Sequence, residues 1–104
     1  MTDTERAFAF RALWFSRGFT DSLPSFDQDT AASGAGADSV PWAAHVEEFR
    51  NVRLSTLSLF RNMPEESWMR MGIASDNRFT VRAVAYIAAG HAEHHLRILR
   101  ERYL

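Results

Sequence analysis

The chain has 104 residues, enough for one small domain and too few for a second. Its 46% hydrophobic and 24% charged residues are ordinary for a globular protein and exclude a disordered chain, while a net charge of -1 leaves no global basic field to hold a nucleic-acid backbone. Cys is absent, which excludes disulfides, thiolate zinc sites and cysteine nucleophiles, and every basic side chain is Arg, which excludes lysine Schiff-base chemistry.

The first six residues lack a basic run leading into an apolar one, and no segment reaches the roughly 18–20 apolar residues of a membrane span. The expected location is therefore the cytoplasm, with no membrane partner. Residues 4–17 read as a helix, since Phe8, Ala12, Phe15 and Phe19 recur at spacings of four, three and four among helix-favouring alanines. Phe10, Leu13 and Trp14 widen the apolar surface, so this helix needs cover on more than one side. Gly18 is its expected stop.

Residues 19–39 hold Asp, Ser, Gly and Pro without periodicity and read as a loop, flexible over 30–37. Asp27 and Asp29, anchored beside Phe26, either face a cation or face water. A second helix is expected from about Val40 to Asn62, with Ser39 or Asp38 as N-cap, Pro41 in the first turn, and Trp42, Val46, Phe49, Leu57 and Phe60 on its buried face. Pro64 to Trp68 forms one short helical turn with Trp68 as core anchor, and Gly72, Ser75, Asp76 and Asn77 mark a turn. Thr80 then caps a last helix over residues 81–103. Three substantial helices and no clear strand make the chain all-α, a single domain over residues 1–104.

On that last helix, advancing about 100° per residue places Val84, His91, His95 and Ile98 on one apolar face, with Arg82, Glu93, Arg97 and Arg100 opposite and His94 at the border. Imidazoles four residues apart can ligate one ion beside the helix, so His91 and His95 form a zinc or nickel half-site. Catalytic zinc takes three protein ligands, so another element would have to supply the third. The alternative is two histidines satisfied inside the core by carbonyls or carboxylates. His45 reads as a surface residue.

The stretch Asp3-Thr4-Glu5-Arg6-Ala7-Phe8-Ala9-Phe10-Arg11-Ala12-Leu13, the later Leu23-Pro24-Ser25-Phe26-Asp27-Gln28-Asp29, the Glu48-to-Arg53 segment, and Thr80-Val81-Arg82 leading to Tyr86-Ile87-Ala88-Ala89-Gly90-His91-Ala92-Glu93-His94-His95 together resemble the DinB-like superfamily of metalloenzymes. The resemblance spans nearly the whole chain and implies a four-helix bundle carrying three histidines around one divalent metal, usually zinc or nickel. It also implies a transferase using bacillithiol, mycothiol or a similar low-molecular-weight thiol on an electrophilic small molecule. By position His91 and His95 match the last two ligands. The first histidine falls just before Asp3, where this chain has Met1, and the family's first helix has no counterpart, leaving a bundle cut to about three main helices.

Two expectations follow from that departure. Asp3 or Glu5 would stand in for the lost ligand, or the ligand lies upstream of Met1. The apolar face left by the missing helix would be filled by a second copy in a homodimer, or by a segment upstream. The competing reading is a non-catalytic self-association module or truncated remnant with structural histidines. DNA repair, which the family's damage-inducible name suggests, has no support from the charge pattern, since no helix face interleaves basic and aromatic residues.

Overall fold

A computed structural model describes residues 1–102. Three long helices carry the architecture: α1 (Thr2–Ser16), α3 (Trp42–Arg61) and α4 (Val81–Arg102), with a short α2 (Gln28–Gly34) in the first connection. Both α3 and α4 pack chiefly on α1 rather than on each other. The core gathers Ala12 and Phe15 of α1, Met63 behind α3, Ala74, and Val81 and Val84 of α4. Tyr103, the expected end of the last helix, lies outside the described residues.

Gly18 closes α1 as its residue type requires. It sits at φ 86°, its N–H donates to the Phe15 carbonyl, and the Phe19 N–H reaches back to that of Trp14 at 3.2 Å. This double bond is the Schellman arrangement, and its usual apolar contact is the Phe19 ring stacked on Trp14 at 4.1 Å. Phe19 therefore lies beyond the helix rather than on its buried face. The Arg70 guanidinium donates to the Ser16 carbonyl and satisfies another open group of the same helix end.

Three expectations are corrected. First, the chain has strands: β1 (Met71–Ala74) and β2 (Asn77–Thr80) pair antiparallel, Gly72 opposite Phe79 and Ala74 opposite Asn77. Their two-residue turn holds Ser75 and Asp76 at positive φ, 52° and 63°, the mirror-image turn that suits strand twist. Leu23 adds a parallel bridge at the hairpin, its N–H donating to the Ile73 carbonyl at 2.8 Å. Second, the 19–39 connection contains α2, capped by Asp27, whose side chain accepts from the backbone N–H groups of Asp29 and Thr30. Third, α3 begins at Trp42 without a side-chain cap. The Ser39 hydroxyl is spent on the Gly36 carbonyl instead, at 2.7 Å.

The buried stripe of α3 also differs. Val52 and Thr56 are its buried residues, while Trp42 is 60% and Val46 49% exposed. The reason is that α3 meets α1 on one side only, so the Trp42 and Val46 part of the expected face is turned toward the space before α4. Thr56 is tolerated in the buried stripe because its hydroxyl donates to the Val52 carbonyl one turn back, at 3.0 Å. Thr80 caps α4 as expected, its Oγ1 accepting from the Ala83 N–H at 3.0 Å. The Glu65–Met69 turn and the half-buried Trp68, stacked on Phe60 at 5.4 Å, also follow the sequence reading.

Candidate metal half-site on the last helix

Helix α4 buries Val81, Val84, Ala88 and Ala92 against the rest of the chain. That stripe carries His91 and His95 with it, both half-buried, and leaves His94 exposed. Small side chains at 88 and 92 let α1 approach closely, so the Phe8 ring meets the His91 imidazole edge-on at 5.7 Å. The two imidazoles converge, Nε2 to Nε2, at 3.1 Å. His94 meets the His95 ring edge-on, ring centres 5.5 Å apart.

Both imidazoles are held below their ordinary pKa of 6.5. For His91 the main cause is burial, followed by His95, the N-terminal ammonium and His94. For His95 it is again burial, followed by the N-terminal ammonium and His94. The neutral rings that metal ligation requires are thus favoured. The unfolded chain therefore binds protons more readily than the folded one, so the contribution is intact above pH 6.5 and is lost as pH falls through 6.5 toward the lower folded-state values. The melting temperature should drop between about pH 7.5 and 5.5, and drop less in a His91→Gln/His95→Gln double variant. Equal slopes in the two proteins would contradict this.

The expected carboxylate stand-ins do not join the pair. Asp3 is exposed. Glu5 is only 2% exposed and faces Arg53, Oε1 to Nη2 at 2.7 Å. Among the described residues no third His, Asp or Glu completes a metal-binding group with His91 and His95. The Asp27 and Asp29 pair is explained without a cation, because Asp27 is the α2 cap. The Thr30 hydroxyl, donating to it at 2.7 Å, leads the bonds that hold its carboxyl below the usual range, with the Thr30 and Asp29 N–H groups behind it.

His45, expected at the surface, is also part of this region. It is half-buried and lines, with His95, Trp42, Val46, Phe49 and Leu96, a cavity of about 640 Å³ enclosed by α3, α4 and the start of α1. Its Nε2 lies 2.9 Å from the Ala37 carbonyl, so it serves as a donor there. The sequence signal was present in the period: His45, Phe49 and Val52 recur at helical spacing.

The family model described as the DinB superfamily matches residues 1–99. The chain belongs to the DinB superfamily. No curated protein and no solved structure matches it significantly. The helical architecture fits DinB membership, with α1, α3 and α4 as the long helices and the hairpin inserted before α4. Among the described residues no helix is long and apolar enough to cross a membrane.

Proposed function

We propose that this DinB superfamily chain is a divalent-metal protein in which His91 and His95 supply two imidazole ligands, serving transfer of a low-molecular-weight thiol to an electrophilic small molecule. The observation that carries the metal reading is the 3.1 Å between the two Nε2 atoms. Two nitrogens bound to one tetrahedral zinc at about 2.0–2.1 Å stand about 3.3–3.4 Å apart, so only a slight opening of the pair is needed. When bound, the metal would lower the pKa of a thiol and favour its thiolate near neutral pH. The chain's own contribution is placement: Phe8 packs edge-on against the His91 ring, and the apolar side chains of Val46, Phe49 and Leu96 line the wall beside His95.

The same 3.1 Å also suits a hydrogen bond between the rings. That supports the second reading, a non-catalytic helical module whose histidines satisfy each other. Zinc and nickel titration of protein without a His tag separates the two. A metal site requires binding that raises the melting temperature, loss of affinity of at least about 100-fold in His91→Ala and in His95→Ala, and little change in His94→Ala. Wild-type protein that neither binds metal nor changes its melting point leaves the helical module. Metal-dependent consumption of a small thiol by an electrophile then tests the transferase.

A further inference from the structure

The outer face of α1 carries a cleft of its own. Ala7, Phe10 and Arg11 form one wall and Leu23 and Phe26 the other, around a space of about 440 Å³. Small-molecule sites commonly hold about 300–1,000 Å³. Phe10 lies about 160° round the helix from Phe8, the residue that meets His91, so the cleft and the imidazoles are on opposite sides of α1. The second wall is coil, yet it is fixed at three points. The Trp14 indole N–H donates to the Asp21 carbonyl at 2.9 Å. The Leu23 N–H donates to the Ile73 carbonyl at 2.8 Å, and the Ser75 N–H to the Leu23 carbonyl at 3.2 Å. The cleft is therefore formed in advance, and a ligand need not order it.

Its charges are unevenly matched. Arg6 is neutralised by Glu48, to which it donates at 2.7 Å. Asp3, the acidic residue of the lining, stands about 12 Å along the helix axis from Arg11. Arg11 itself is half-buried, and among the described residues it pairs with no carboxylate and donates to the Ser75 hydroxyl at 3.3 Å. Beside this guanidinium two phenyl rings stay open, Phe10 49% and Phe26 37% exposed. We infer that the cleft binds a small apolar carboxylate, its anion held by Arg11 and its body between the Phe10 and Phe26 rings. A planar carboxylate matches the guanidinium fork, which offers two parallel N–H donors. The open rings supply the apolar cover that the body of such a ligand needs. No metal takes part.

Calorimetric titration in EDTA with 2-naphthoate and with its uncharged analogue 2-naphthamide tests this. Wild-type protein should bind naphthoate at least about 10-fold more tightly than naphthamide. Arg11→Gln should abolish that preference, and Phe10→Ala should weaken naphthoate about 5-fold or more. His91→Ala/His95→Ala should bind naphthoate as the wild type does. A wild type that does not bind naphthoate or does not prefer it, an Arg11→Gln protein that keeps the preference, or a Phe10→Ala protein of unchanged affinity would overturn the assignment. So would binding lost with the two histidines, which would place the carboxylate at the half-site on α4. The comparison of two ligands on the wild type needs no variant, and Phe10 is exposed, so the test holds even if Arg11→Gln disturbs folding.

Discussion

Gly72→Ala is expected to destabilise the protein by about 3 kcal/mol, at the upper end of the overpacking range. A Cβ at residue 72 would lie 1.9 Å from Cδ1 and 2.2 Å from Cε1 of Phe15. Atoms that close cannot coexist, and Phe15, 1% exposed, has no free space into which its ring can turn. Either the ring leaves its rotamer or β1 moves off α1, and both loosen the centre of the core. At roughly 4–8 °C per kcal/mol for a domain of this size, the melting temperature should fall by about 12–24 °C. Phe15→Leu removes the obstructing ring edge at its own cost. The Gly72→Ala/Phe15→Leu double variant should therefore be more stable than the sum of the single losses implies. Strict additivity in urea denaturation would show that the two residues do not press on each other.

Arg53→Ala is expected to cost about 3 kcal/mol, because it strips the counter-charge from a carboxylate that is 2% exposed. The lower end of the range applies, since the Arg53 side chain itself keeps 27% of its exposure. The pair is close but poorly aligned: Oε1 and Nη2 approach to 2.7 Å, yet Nη2 and the other carboxylate oxygen, Oε2, have no hydrogen-bond partner. A buried pair of this kind gains less from attraction than it loses in hydration. The apolar replacement Glu5→Leu/Arg53→Met should therefore be at least as stable as the wild type, while Arg53→Ala alone is not. Chemical denaturation of the three proteins checks both statements. An Arg53→Ala loss below about 1 kcal/mol would mean that water reaches Glu5 once the guanidinium is gone.

The His91 and His95 placement was legible in the sequence because a helix of known period has only one way to present residues four apart. The final turn of α1 was equally legible, since Gly18 is the residue type that accepts the left-handed conformation found there. The turn at Ser75 and Asp76 was legible, but the strands beside it were not. They are four residues each, and Gly72 within β1 reads as part of the turn. Its lack of a side chain answers a distant ring, and nothing in its neighbours announces that.

The α3 face shows the limit of periodicity most clearly. In the sequence it reads as one apolar face holding Trp42, Val46, Phe49, Leu57 and Phe60. Packing on α1 buries Val52 at the flank together with the polar Thr56, and leaves Trp42 and Val46 open. Glu5 likewise looked available as a ligand until the fold brought Arg53 to it from the third helix. The positions of the three long helices, the caps at Gly18 and Thr80 and the pairing of the two imidazoles follow from interactions within a few residues, and the amino-acid order specifies those directly. The hairpin's seat on Phe15, the partner of Glu5 and the groove beside α4 join segments far apart in the chain. Their existence depends on how the helices settle against one another.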